Sequence, residues 1–75
     1  MYAFSLLVSV LNQMYPGFTA ESIYDYHSFK SDLGMSDSDI EIMCEYLGDA
    51  LGIVIEDPTR FDTVGELCEF IEEFV

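Results

Sequence analysis

The sequence is poor in positive charge. Lys30 and Arg60 are its only lysine or arginine residues, against fifteen carboxylates, and the formal net charge is −13. A surface of this sign repels phosphate backbones and anionic lipid, which argues against nucleic-acid binding and membrane-surface binding. The charge instead favours a partner protein with a basic patch, attracted most strongly at low ionic strength.

Cysteine is also scarce. Cys44 and Cys68 have neither CxxC spacing nor neighbouring histidines, so they do not predict a zinc site. Both are predicted to be buried thiols in a reducing compartment, and we expect a cytoplasmic location. The apolar stretch over residues 1–11 has no basic region before it and no small-residue cleavage site after it, and it is too short to span a bilayer.

The length of 75 residues predicts a single domain, residues 1–75, with one modest core and no cleft between lobes. Hydrophobic residues make up 51% of the chain, too many for a disordered acidic tail. His27 has no acid, serine or cysteine arrangement near it, and no set of nucleophile, base and oxyanion donors can be assembled. The sequence therefore predicts a monomeric, folded protein that is not an enzyme.

Apolar residues at helical spacing predict an all-α fold. Helix one is expected over residues 2–14, before Pro16 and Gly17 interrupt the pattern. Its inward residues are predicted to be Phe4, Leu7, Val8, Leu11 and Met14. Residues 16–35 lose the periodicity and predict a long ordered connection. Its anchors are predicted to be Phe18, Ile23, Tyr26, Phe29 and Leu33.

Helix two is expected to begin near Ser38, which forms a capping-box pattern with Glu41, and to end at Gly52. Its apolar stripe is predicted to be Ile40, Met43, Cys44, Leu47 and Leu51. Residues 53–55 are predicted to be an apolar segment inserted into the core. Thr63 is predicted to cap a last helix. The inward residues of that helix are predicted to be Val64, Leu67, Cys68, Ile71, and Phe74 or Val75.

An ordered set of segments resembles the acyl carrier proteins. The segments are Ser28-Phe29, Asp32-Leu33-Gly34, the acidic helix two, Leu51 to Asp57, and Phe61 to Leu67. They lie in the order of that family and nearly at its spacing, across almost the whole chain. The resemblance implies an acyl-carrier-like bundle of three to four helices with a long loop between helices one and two. The loop between Ile55 and Phe61 is about two residues short, a departure that affects the family's small third helix.

In that family, a serine in an Asp-Ser-Leu motif carries a 4′-phosphopantetheine arm whose thiol holds the acyl group as a thioester. The resemblance therefore implies an acyl or peptidyl carrier of fatty acid or polyketide biosynthesis. Read without gaps, the chain places Asp37 at the serine position, where no hydroxyl is available. A one-residue deletion makes Ser36 the attachment site, but it requires a compensating insertion inside helix two. Ser38 fits only with an insertion before it.

Helix two is the predicted docking surface for basic-patched partners such as synthases, acyltransferases or a phosphopantetheinyl transferase. The predicted docking residues are Asp37, Asp39, Glu41 and Glu45. Two hypotheses remain open: a carrier with its arm on Ser36 or Ser38, and a carrier-like scaffold or regulator without an arm. Asp37, Asp39 and Glu41 lack the EF-hand spacing, so a loose divalent-ion site is only an alternative to the prediction of no metal.

Overall fold

A computed structural model describes residues 2–74 and confirms a small all-α bundle. α1 spans Tyr2–Met14, α2 spans Asp37–Leu51 and α3 spans Val64–Glu72, with a 3₁₀ turn at Pro58–Arg60. α1 packs against both α2 and α3, and the 3₁₀ turn packs against α2. The described residues thus form three α-helices, and a single short turn stands where the resemblance implied a small extra helix.

The core is built from the apolar faces of all three helices. α1 buries Ala3, Leu7, Val10 and Leu11; α2 buries Ile40, Met43, Cys44, Leu47 and Gly48; α3 buries Val64, Leu67, Cys68 and Ile71. The predicted stripes of the last two helices are confirmed at these positions, with Leu51 half-buried. In α1 the buried face is centred on Leu7 and Leu11, so Phe4, Val8 and Met14 lie half-buried at its edges.

The start of α2 differs from the prediction. Ser36 is the N-cap, in extended backbone conformation, and Asp39 is its capping-box partner. Asp37 is the first helical residue, which leaves Ser38 inside the first turn rather than in front of it. The prediction of a box between Ser38 and Glu41 is therefore wrong. Aspartate, like glutamate, carries a carboxylate that can return a hydrogen bond to the N-cap amide, and here it does so from a shorter side chain.

The long connection between α1 and α2 is ordered by backbone hydrogen bonds to the start of α3. The amide of Phe29 donates to Asp62 O (2.9 Å), that of Val64 donates to His27 O (3.0 Å), and that of Gly65 donates to Asp25 O (2.8 Å). Buried Ile23 and Phe29 confirm two predicted anchors, and Phe18 and Leu33 are half-buried. The prediction for Tyr26 is wrong: its side chain is 69% exposed and stacks on Tyr24.

Residues 53–55, which follow α2, are only partly inserted into the core. Gly52 ends the helix in the left-handed conformation (φ 73°), as predicted. Ile55 is buried and Ile53 half-buried, whereas Val54 is 87% exposed because neighbouring residues of an extended segment point in opposite directions. The prediction of a core segment is thus confirmed for Ile55 and wrong for Val54.

α3 begins after the predicted cap, Thr63, and an exposed aromatic residue, Phe74, follows its end at Glu72. Thr63 accepts a hydrogen bond from the amide of Glu66, whose carboxylate accepts one from the amide of Thr63. Phe74 is 47% exposed and contacts Phe70, so it does not take the predicted inward position, and the alternative, Val75, lies outside the described residues. Within residues 2–74, no helix has the length and apolar character needed to cross a membrane.

Candidate functional site at the start and outer face of α2

The candidate site begins at Ser36, the exposed N-cap of α2. Its Oγ accepts a hydrogen bond from the Asp39 amide (3.2 Å), and its own amide donates to Asp39 Oδ2 (3.1 Å). These hydrogen bonds from Ser36 lower the pKa of Asp39, first through the backbone amide and then through the hydroxyl. The lowered pKa keeps Asp39 ionised as part of the cap, and its carboxylate is engaged by the Ser36 amide.

Tyr15 connects this helix start to the end of α1. Burial raises the pKa of Tyr15, and the neighbouring Asp39 carboxylate raises it further. The amide of Tyr15 still bonds to Leu11 O at 2.7 Å, so the tyrosine is held by the last turn of α1. Tyr15 thus places the end of α1 beside Asp39.

The first two amides of α2, those of Asp37 and Ser38, have no hydrogen-bond acceptor among residues 2–74. Such amides at a helix N-terminus point outward and suit an anion, together with the positive end of the helix dipole. Ser36 and Ser38 are both exposed, so both predicted attachment hydroxyls are accessible. Their chemistry is compatible with a phosphodiester, whereas the Asp37 carboxylate offers no hydroxyl.

Asp37 is paired with one of the two cations of the chain. Its Oδ1 lies 2.5 Å from Lys30 Nζ, with both side chains more than half exposed. An exposed pair of this kind contributes about 0–1 kcal/mol, so its effect is on local charge more than on stability. Lys30 reduces the negative potential at the helix start, which leaves Glu41 and Glu45 as the predicted docking acids of α2 without a neighbouring cation in the described residues.

Glu41 and Glu45 lie on the solvent-facing side of α2, one helical turn apart, and make no hydrogen bond or ion pair within the described part of the chain. Beside them, Ile42 (41%) and Tyr46 (47%) are exposed apolar residues at the same spacing. We call these four residues the outer face of α2. An apolar strip next to an acidic strip is typical of protein-docking surfaces, in which aromatic residues supply buried contact area.

Sequence reasoning assigned the two acids of the outer face but missed its apolar half. Ile42 and Tyr46 were not among the predicted docking residues. The available signal was helical phase: residues 42 and 46 lie roughly 100° from Glu41 and Glu45, away from the buried stripe. Of the four predicted docking acids, the structure thus leaves two unengaged and engages Asp37 with Lys30 and Asp39 with the cap.

The assignment of the arm to Ser36 requires an inserted residue inside α2, and such a residue would disturb the buried face of the helix. The helix runs without interruption from Asp37 to Leu51, with Met43, Cys44 and Leu47 buried in one continuous stripe. An inserted residue would rotate the stripe by about 100° or appear as a local bulge. No such break is present between Asp37 and Leu51.

Both thiols are buried and free, as predicted. Burial raises the pKa of Cys44 to about 11 and that of Cys68 to about 11, since the interior disfavours the thiolate. Neither thiol is activated as a nucleophile at neutral pH. Residues 2–74 contain no group of three or more His, Cys, Asp or Glu side chains placed to hold a metal ion.

The chain matches no protein-family model, and no curated protein gives a significant sequence match.

Proposed function

We propose that the chain is an acyl-carrier-type interaction protein that binds a basic-patched partner through the outer face of α2 and has no arm at Asp37. The observation that carries the proposal is the uninterrupted α2, whose buried stripe supports the reading that puts aspartate at the serine position. The partner classes are those of the carrier family, synthases and acyltransferases. The protein acts on them as scaffold or regulator, in the cytoplasm, a location that two free thiols support.

The outer face suits such a partner in both charge and shape. Glu41 and Glu45 attract a basic patch during encounter, and Ile42 and Tyr46 provide apolar area that is removed from water on docking. The charges govern association rate and salt dependence, whereas the apolar pair governs dissociation. These separate effects make the two strips distinguishable by experiment.

The test uses a carrier-dependent acyltransferase with a basic docking patch as the probe, with binding measured by surface plasmon resonance. Glu41→Gln/Glu45→Gln should slow association several-fold and flatten its salt dependence. Ile42→Ser/Tyr46→Ser should instead accelerate dissociation. The matched control is Glu21→Gln/Glu73→Gln. Both glutamates are exposed and lie outside α2, and their substitution changes the net charge by the same amount. Equal effects of the control and the α2 charge variant would refute docking through α2.

A second candidate function is an acyl or peptidyl carrier with 4′-phosphopantetheine on Ser36, with Ser38 as the alternative site. One specific observation favours it: the exposed Ser36 hydroxyl lies beside two outward amides without acceptors in the described chain. Ser36 would hold the arm through its Oγ, and the amides of Asp37 and Ser38 would face the phosphodiester. The arm would supply the thiol that carries the acyl group in fatty acid or polyketide biosynthesis.

Intact mass after incubation with coenzyme A and a broad-specificity phosphopantetheinyl transferase separates the two candidates. A gain of about 340 daltons, lost in Ser36→Ala but kept in Ser38→Ala, would establish the carrier. Unchanged mass in a folded sample, beside a control carrier that is modified, would support the scaffold. Ser36→Asn keeps a capping oxygen but has no hydroxyl, so a folded Ser36→Asn protein that stays unmodified would show that loss of modification in Ser36→Ala reflects loss of the hydroxyl and not of the helix start.

A further inference from the structure

A cavity of about 530 Å³ lies between α1, the long connection and α3, and α2 takes no part in its walls. Its lining includes the buried side chains of Ile23 and Cys68 and the half-buried ring of Phe4. A volume of this size falls within the range of small-molecule sites, and an apolar interior with a few polar groups is their usual composition. The outer face of α2 is a separate surface.

The rim of the cavity is acidic. Asp25, Glu69 and Glu72 all line it and all are exposed, two of them one turn apart on α3. Neither Lys30 nor Arg60 lies among its lining residues: Lys30 pairs with Asp37, and the Arg60 guanidinium lies over the rings of Phe61 and Phe70. Among residues 2–74, no lysine or arginine therefore lies in the cavity lining beside the three carboxylates.

An aromatic ring completes the mouth. Tyr24 lines the cavity with half of its side chain exposed, and it stacks on Tyr26 with ring centroids 5.5 Å apart. His27 contacts both rings edge-on, and its Nδ1 accepts a hydrogen bond from the Tyr24 amide (3.1 Å). An aromatic face near carboxylates is the chemistry that recognises organic ammonium groups.

The wall that carries Tyr24 and Asp25 is held rigidly against α3. A side-chain carbon at Gly65 would lie 3.0 Å from Asp25 O, so the two backbones touch, and the Gly65 amide donates to that oxygen (2.8 Å). Glycine at this position permits the close approach, and the hydrogen bond fixes it. The backbone segment that carries Tyr24 and Asp25 is thus fixed against the start of α3.

We propose that this cavity binds a lipophilic organic cation, with an ammonium group between Tyr24 and the carboxylates of Asp25, Glu69 and Glu72 and an apolar body against Phe4, Ile23 and Cys68. Charge complementarity determines the head group, and the apolar lining determines the body. The site is independent of the function proposed for α2, because it shares no residue with the outer face or with the cap.

The probes are three molecules of similar size that differ in charge: 3-phenylpropyltrimethylammonium, 3-phenylpropanol and 4-phenylbutyrate. Binding is followed by two-dimensional amide NMR of the intact chain. The cation should bind at least about tenfold more tightly than the alcohol, and the carboxylate should not bind measurably. Shifts should concentrate on the amides of residues 20–25 and 65–72.

Two variants test the head-group site. Glu69→Gln/Glu72→Gln should weaken the cation about fivefold or more and leave the alcohol unchanged, since only charge is removed. Tyr24→Leu should weaken the cation several-fold while retaining apolar contact. The matched control is Asp49→Asn/Glu56→Gln, two exposed acids outside the cavity lining, which should change affinity less than twofold.

A third variant tests the cavity itself. Ala20→Trp places a large ring at an exposed position in the lining, so it should abolish binding of cation and alcohol alike without disturbing the buried core. Three outcomes would overturn the proposal: equal affinity for cation and alcohol, shifts spread over all acidic surfaces, or equal weakening by the control pair. The last two would identify general counter-ion attraction to a chain of net charge −13.

Discussion

Gly48 and Ile53 meet backbone to backbone where the chain leaves α2. The Ile53 amide donates to Gly48 O at 2.9 Å, and a side-chain carbon on Gly48 would lie 2.6 Å from Ile53 O. Real side-chain carbons do not approach a carbonyl oxygen so closely. Glycine in the last turn of this helix is therefore required by the return of the chain, although glycine disfavours helices by about 1 kcal/mol relative to alanine.

Gly48→Ala should destabilise the protein by about 1–3 kcal/mol. The gain in helix propensity is about 1 kcal/mol, but overpacking a close contact costs about 1–3 kcal/mol and the displaced Ile53 amide loses a hydrogen bond of about 1 kcal/mol. The measurement is urea unfolding followed by circular dichroism. Gly17→Ala is the control, because nothing lies within 4 Å of its added carbon, and it should change stability by less than about 1 kcal/mol. An equally stable Gly48→Ala protein would contradict the contact.

The identity of the α2 cap can be tested at two serines two residues apart. Ser36→Ala should cost about 1 kcal/mol because the Asp39 amide loses its acceptor, and Thr63→Ala should cost a similar amount at α3. Ser38→Ala should be nearly neutral, because Ser38 lies in the first turn and makes no capping bond. Thermal melts of the three variants give the comparison. A larger loss of stability in Ser38→Ala than in Ser36→Ala would instead support Ser38 as the cap, as the sequence predicted.

The helical stripes could be predicted because burial imposes a period that the sequence displays directly. Leu47 and Leu67, for example, are fully buried where the spacing put them. The start of α2 could not be fixed so well, since Ser36, Asp37, Ser38 and Asp39 are all good capping residues and the sequence ranks them only by pattern. The hydrogen bond returned by Asp39 selects Ser36, whereas the capping-box pattern, which usually has glutamate or glutamine at the third helical position, favoured Ser38 with Glu41.

The candidate site was predicted in part for the same reason. Glu41 and Glu45 follow from helical phase alone. The pairing of Lys30 with Asp37 joins a loop residue to a helix residue, and the exposed Tyr46 is an aromatic side chain that composition alone would bury. The cavity beside Gly65 is formed by three segments that are far apart in the chain, so no local sequence pattern predicts it.

Acid should weaken the α2 cap through Asp39. The pKa of Asp39 is lowered below its ordinary 3.8 by the Ser36 amide and hydroxyl, so the folded state favours the ionised carboxylate. This contribution to stability is present above about pH 3.8 and is lost as the pH falls through the folded-state value. Unfolding free energies from pH 5 to pH 2.5 should fall less steeply in Asp39→Asn, whose amide oxygen keeps the hydrogen bond without titrating. Identical slopes would exclude Asp39 as a contributor.

High pH should destabilise the folded protein through the two buried thiols, Cys44 and Cys68. The pKa values of Cys44 and Cys68 are raised from 9.0 to about 11, so the folded state favours the neutral thiols. Their contribution is fully present below about pH 9 and is lost as the pH rises toward 11. Iodoacetamide should modify the native protein slowly at pH 9 and the urea-unfolded chain rapidly. Cys44→Ala/Cys68→Ala should show a smaller loss of stability between pH 9 and 11, and rapid native alkylation would contradict burial of the thiols.

Screening of the acidic surface should stabilise the fold without specific metal binding. Raising NaCl from 10 to 150 mM shortens the Debye length from about 30 to about 8 Å, and with a net charge of −13 we expect a gain of about 1 kcal/mol, or a Tm rise of about 4–8 °C. MgCl₂ and CaCl₂ at matched ionic strength should give nearly the same rise, because no cluster of three ligands occurs in residues 2–74. Calorimetric melts in the three salts provide the measurement. A divalent ion that raised Tm at micromolar concentration would instead establish the divalent-ion site at Asp37, Asp39 and Glu41, because screening at that ionic strength is negligible.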